Sequence, residues 1–230
     1  MKVEILPDAD AVAKAAALLI ASEARAAVAA RGIFTFAISG GKTPWVMLRE
    51  LASEELPWEQ IHLFQIDERI APEGDKDRNL THLLESLATA PIPAANIHAM
   101  PVNATDPAEG AKEYERTLES LCGIPAVLDL AHLGLGPDGH TASLIPGDPV
   151  LGVHDRDVAL TGLYQGRNRM TLTYPMINRS RNILWLATGA EKAPMIERLQ
   201  HGDPTIPGGL IKQEYAILLA DEAAVAGLRF

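Results

Sequence analysis

The sequence predicts an α/β fold, a mostly parallel sheet with helices on both faces, as one domain over residues 1–230. Three observations predict it. Short apolar runs rich in β-branched and aromatic residues alternate with longer stretches of helical period. Several of those runs end in glycine or polar residues and lead directly into a helix, and in such sheets chemistry gathers at the carboxyl ends of the strands. The chain has 230 residues, 47% hydrophobic and 22% charged, enough for a sizeable packed core. No internal repeat, low-complexity tract or long linker divides it.

In order along the chain, Asp8 or Asp10 caps a helix that runs through an alanine-rich stretch to Arg31, and Gly32 stops it. Residues 33–38 (IFTFAI) form a strand, residues 39–44 (SGGKTP) a turn, and Pro44 suits the first turn of the next helix. A strand over 61–66 (IHLFQI) ends on Asp67, Glu68 and Arg69. Residues 79–88 read as a helix, 97–100 as a short strand and 106–121 as an amphipathic helix. The apolar run 128–135 is a buried strand that breaks on Gly134, Gly136 and Gly139, with a helix expected from Thr141 to Leu144. Residues 148–168 show no clear period and are expected as loop with a weak edge strand. Strands follow at 169–173 and 183–188, then a helix to Gln200, a Pro/Gly loop over 202–209, and a last strand at 215–220 before Asp221 and a short helix.

Bulk properties narrow the function. A net charge of −10 argues against a general binder of nucleic acid or of anionic membrane. Cys122 is alone, so no internal disulfide forms, and a reducing, cytoplasmic setting is expected. Residues 1–6 lack the basic and apolar pattern of a signal peptide. The most apolar stretch, 11–30, carries Lys14, Glu23 and Arg25 and reads as a helix outside the membrane.

Four places can carry chemistry. Ser39, Gly40, Gly41 and Thr43 lie between a strand and a helix start, where small residues let backbone N–H groups approach an anion such as phosphate; the plain alternative is a tight turn with a helix cap. A nucleotide P-loop is ruled out because Phe36 stands where its first glycine belongs. Asp67 and Arg69 can meet sugar hydroxyls or an anion, or form a salt-bridged loop. Asp138 and His140, on the glycine-rich turn, are the candidate acid/base pair; the alternative is a histidine satisfied by turn backbone. Arg169 and Lys192, read alone, are surface charges, although Lys192 follows a strand end and can reach the same crevice. The histidines show no i, i+4 metal spacing and no cysteine cluster exists, so no metal site is expected. Ser143 lacks the G-x-S-x-G elbow of a nucleophile.

Taken together and in order, SGGKTP, IDER with the later RN, LGLGPDGHTASLIPG, RMTLT with PMIN, and ATGAEKA resemble 6-phosphogluconolactonases, over roughly residues 33–196. The resemblance implies a Rossmann-like fold that binds a sugar phosphate without metal, nucleotide or other cofactor. It implies a substrate phosphate on Gly40, Gly41 and Thr43, with positive charge from Lys192 and Arg169. Asp67 and Arg69, with Asn79 as a neighbour, would line the ring, and His140 would activate water with Asp138 orienting it. Monomer and homodimer both remain open. The wider superfamily also holds glucosamine-6-phosphate deaminases, whose motif carries a glutamate five residues after the histidine; here that position is Ile145. Two alternatives are thus a deaminase/isomerase and a non-catalytic sugar-phosphate sensor. The chain departs from the lactonase pattern at Arg78, where a small polar residue is usual, and over residues 162–168, which leaves open whether Arg167 or Arg169 turns inward.

Overall fold

The computed structural model describes residues 1–228. In chain order the elements are β1 (Lys2–Leu6), α1 (Ala9–Arg31), β2 (Phe34–Ile38), α2 (Lys42–Ala52), β3 (Ile61–Gln65), β4 (Asp67–Arg69), α3 (Asn79–Ser86), β5 (Ile97–His98), α4 (Pro107–Cys122), β6 (Leu130–Gly134), β7 (Val158–Leu160), β8 (Arg169–Leu172), α5 (Tyr174–Asn178), β9 (Asn182–Ala187), α6 (Ala193–Gln200) and β10 (Ala216–Asp221). Seven strands form one parallel sheet in the order β1-β10-β9-β6-β2-β3-β5. The predicted fold class therefore holds.

The strand order locates the crevice. From β2 the chain steps outward through β3 to β5, then returns to place β6 on the other side of β2. Connections thus leave in opposite directions at the carboxyl ends of β2 and β6. A ligand crevice opens at such a reversal because the two following segments diverge there.

Strand alternation fills a core on each face. Phe36, Ile38, Leu63, Leu130, Leu184 and Leu219 pack towards α1, α2 and α3. Ala37, Phe64, Ala131, Leu133, Trp185 and Leu218 pack on the other face with α4, α5 and α6. Asp8 caps α1, its carboxylate accepting from Ala11 N–H at 2.8 Å, and Gly32 ends the helix at φ 76°. At that φ a side chain would be strained. No helix among the described residues is long and apolar enough to cross a membrane.

Three expectations need correction. Thr141 to Leu144 is a turn closed by an isolated bridge and not a helix; Ala142 sits at φ 53° and Pro146 and Gly147 follow. No helix follows Asp221 through residue 228, only turns. Residues 67–69 form a strand of their own, β4, in a separate antiparallel sheet ordered β4-β8-β7. β1 escaped the sequence reading because this edge strand is mostly exposed and carries Lys2 and Glu4, charges typical of a protected edge.

Candidate active site

The turn after β2 is shaped by what lies against it. Gly40 sits so close to α3 that a Cβ there would fall 2.0 Å from Asn79 Oδ1. Gly41 has φ 143°, and α2 begins at Lys42 without a side-chain cap or an acidic residue in its first turn. Pro44 contributes no N–H, so the first turn presents a few uncapped amides and the positive end of a helix dipole. Beneath it, the fully buried His132 accepts the Ser39 N–H on Nδ1 at 3.3 Å. Burial pushes the His132 imidazole down to about 3. The unfolded chain then binds a proton below pH ~6.5 that the folded chain refuses until about pH 3, so stability falls as pH drops through that window, by up to ~1.4 kcal/mol per pH unit. Urea midpoints measured from pH 7 to pH 4 should decline more steeply for the wild type than for His132→Gln.

The turn after β6 carries the acid/base pair. Gly136 N–H donates to His140 O at 2.8 Å and Gly139 N–H to Gly136 O at 3.0 Å. The imidazole lies against Gly136, where a Cβ would come 2.1 Å from His140 Nδ1. Asp138 Oδ1 meets His140 Nδ1 at 2.5 Å and also accepts the His140 backbone N–H at 3.1 Å. That contact fixes the ring and leaves Nε2 as the free nitrogen. Burial raises the Asp138 carboxyl, but its hydrogen bonds and charge interaction with His140 outweigh this and hold it below the usual carboxylate range. Asp138 is therefore ionised at neutral pH.

The small sheet supplies cations. Its register sets Arg69 directly across from Arg169. Like charges face to face are unfavourable without an anion nearby. Asp67 is the nearest carboxylate, 4.0 Å from the Arg169 guanidinium. Arg69 instead donates to Asp77 O and Asn79 Oδ1 at 2.7 and 3.0 Å. Burial lowers the Arg169 pKa, Asp67 opposes that and Arg69 adds to it. Asp67 is itself held by the buried Ser143 hydroxyl at 2.6 Å. Ser143, without a nucleophile's motif, is thus a support for Asp67. Glu68, expected beside Asp67 at a strand end, points the other way and is fully buried, accepting from the Asn79 and Leu80 amides at the start of α3.

The end of β9 completes the ring. Thr188 Oγ1 lies 2.9 Å from Thr43 Oγ1, and Lys192 Nζ donates to Leu135 O at 2.8 Å. One cavity of about 470 Å³ is lined by Ser39, Gly40, Gly41, Thr43, Asp67, Arg69, Asn79, His140, Arg169 and Lys192 together. Asp138 stands behind His140 and is not part of the wall. Arg167 turns outward to Asp75 and Asp77, so Arg169 is the inward arginine. Arg78 is buried beside Glu68 and does not line the cavity. Among the described residues no cluster of three or more His, Cys, Asp or Glu is arranged to hold a metal ion.

A family model described as glucosamine-6-phosphate isomerases/6-phosphogluconolactonase matches residues 7–219. The chain belongs to this family. It is 38% identical to the 6-phosphogluconolactonase of Synechocystis sp. over 99% of this chain and 98% of that protein. The 6-phosphogluconolactonase structure from Thermotoga maritima superposes with a TM-score of 0.85 at 27% identity, covering 96% of this chain and 98% of that one. A monomeric glucosamine-6-phosphate deaminase also superposes, with a TM-score of 0.86 at 20% identity over the full length of both. At that identity the likeness concerns the fold alone, so the two activities of the family must be separated within the site. Ile145, five residues after His140, is buried and carries no carboxyl.

The sequence reading missed Thr188, Glu191, Lys42 and Tyr164. The first three line the cavity. They lie within motifs already singled out, SGGKTP and ATGAEKA, so their position was the available signal. Tyr164 sits in the stretch that showed no period, and nothing local marks it.

Proposed function

We propose that the protein hydrolyses 6-phospho-D-glucono-1,5-lactone to 6-phosphogluconate in the oxidative branch of the pentose phosphate pathway, with His140 as the base that activates water. The observation that carries this reading is a Nδ1-anchored imidazole sharing one cavity with the uncapped start of α2. The relatives named 6-phosphogluconolactonase support the substrate.

In this mechanism the phosphate rests on the Gly40–Thr43 turn, where amides and the Thr43 hydroxyl donate, with Lys192 supplying positive charge. Asp67, Arg69 and Asn79 line the sugar ring. Neutral His140 takes a proton on Nε2 from the water that attacks C1, and the lactone carbonyl becomes an oxyanion. Arg169 and the amides of the glycine turn stabilise that charge. As the C1–O bond of the ester breaks, the imidazolium returns its proton to the ring oxygen. Asp138 keeps the imidazole in the tautomer that presents Nε2 and stabilises the charged form between the two transfers.

Lactone hydrolysis needs no ring-opening acid at position 145, which is why this reading is preferred over amino-sugar deamination. The protein is read as a single-domain, cytoplasmic enzyme that takes no cofactor, binds neither nucleic acid nor membrane, and acts as a monomer or homodimer. The test is a coupled assay on freshly made phosphogluconolactone, corrected for spontaneous hydrolysis, with glucosamine 6-phosphate in parallel. Ammonia release without lactone hydrolysis would reverse the assignment, and binding without turnover of either would make the protein a sensor.

Lys192→Ala removes a contact expected to be equal in ground and transition states. KM should rise by about tenfold with kcat nearly unchanged. A phosphate-free lactone should not distinguish the variant from wild type; if it does, the lysine serves something other than the phosphate.

A further inference from the structure

We propose that Tyr164 is a positioning residue that couples the Asp138–His140 pair to Arg169, and so sets the pH at which His140 works as a base. This rests on the hydrolytic reading above.

The geometry is a three-way junction. The Tyr164 hydroxyl donates to Asp138 Oδ2 at 3.2 Å, the oxygen that His140 does not use. Its ring meets the His140 ring edge-on, with centroids 5.6 Å apart and planes at 67°. On the same ring lies the Arg169 guanidinium, 5.0 Å from the centroid. One side chain therefore touches the carboxylate, the base and the buried cation.

Its place is built into the backbone. Tyr164 and Arg167 exchange backbone hydrogen bonds at 3.0 and 3.1 Å around Gln165 and Gly166, at φ 50° and 79°. Two successive residues in the left-handed region make the tight turn favoured by hairpins. Gln165 Oε1 accepts from Arg169 at 3.3 Å, which fastens the tip to the site. Arg167 fastens the other side, donating to Asp75 at 3.0 Å and Asp77 at 3.2 Å on the loop after β4. The tip is thus anchored over the acid/base pair.

The chemical consequence follows from Asp138 as a shared acceptor. A phenol O–H on Oδ2 draws off part of the carboxylate charge that would otherwise stabilise the imidazolium. Removing the phenol should return that charge to the oxygen pair facing the imidazole and favour the imidazolium. The other charged groups near this junction are Arg169 on β8, Asp67, Glu68 and Arg69 on β4, Lys42 at the start of α2, and Glu191 and Lys192 before α6. None of these bonds to Asp138 among the described residues, so the phenol is the group whose removal acts on that carboxylate directly. Burial and the Asp138 charge also keep the phenol protonated by raising its pKa, against a smaller opposing effect of Arg169.

Tyr164→Phe and Tyr164→Leu separate the two contacts. The phenylalanine variant keeps the ring under Arg169 and loses only the donor. Its acid limb of kcat/KM should move up by about half a pH unit. Its kcat should fall by up to about tenfold, a fraction of the ~10²–10⁴ a positioned base provides. KM should hold. The leucine variant should lower kcat by a further several-fold, because Arg169, which stabilises the oxyanion, loses its platform. An NMR titration of the His140 ring in the free protein should show the same upward shift in both variants, whatever the substrate proves to be. A Tyr164→Phe enzyme with wild-type kcat and an unmoved His140 titration overturns the proposal, and a change confined to thermal stability does the same. Failure of the wild type to hydrolyse the lactone would instead overturn the functional reading, with the NMR shift still deciding the role of Tyr164.

Discussion

His140→Ala lowers kcat for lactone hydrolysis by ~10²–10⁴-fold, the span that a positioned general base supplies, while the protein stays folded. The imidazole is partly exposed in the cavity and contributes to neither apolar core. Its removal leaves the turn intact, because that turn is closed by backbone bonds from Gly136 and Gly139. His140→Asn gives the same loss, since an amide can bond to Asp138 but cannot accept a proton near neutral pH. KM changes little, the phosphate grip lying on residues 39–43 and Lys192. Steady-state kinetics with background hydrolysis subtracted, beside circular dichroism for the fold, make the measurement. A variant that retains wild-type kcat would remove His140 from the reaction.

Glu68→Ala costs ~3–5 kcal/mol of folding stability, the penalty for breaking a buried, charge-bearing network from one side. Glu68 is fully buried and accepts four hydrogen bonds, each at 2.8 Å, from Gln65 Nε2 and the backbone amides of Arg69, Asn79 and Leu80. The buried Arg78 guanidinium lies 3.4 Å away. Alanine leaves these donors without an acceptor and leaves Arg78 as an unpaired buried charge. Against a total stability of about 5–15 kcal/mol, the loss should appear as a large drop in the urea midpoint. It should also raise KM, because Asn79 and Arg69 depend on this carboxylate for their place in the cavity wall. Glu68→Gln should recover little, since its NH₂ group would face donors. A loss below about 1 kcal/mol, the scale of an ordinary surface substitution, would show that other groups or water satisfy these donors.

The same pair of neighbours shows where sequence reading stopped. Asp67 and Glu68 are adjacent in one motif and looked equally able to serve the site. Three residues of strand pairing with β8 send them to opposite sides, Asp67 to the cavity and Glu68 to the start of α3. The choice between Arg167 and Arg169 has the same origin, because Asp75 and Asp77 capture Arg167 only once two distant loops meet. Arg78, the departure from the family pattern, is the other half of the Glu68 network and not a change in the cavity wall. Local signals succeeded where the cause was local. Asp8, one of the two candidate caps, and Gly32 bound α1, and the helix expected over 106–121 appears as α4, with Asp106 as its cap. They failed at Thr141–Leu144, where burial of Ser143 against Asp67 and the left-handed Ala142 replace a helix by a turn.

The sequence by itself determined the alternation of strands and helices, the glycine turns at strand ends, and His140 beside Asp138 on one of them. Caps, periodicity and positive-φ positions are written within a few residues of where they act. The tertiary structure alone decided the strand order that opens the crevice between β2 and β6, the turn of Glu68 away from the cavity into the buried start of α3, and the seat of Tyr164 on Asp138 and Arg169. Those outcomes depend on partners tens of residues away, and the packing that brings them together leaves no periodic trace in the chain.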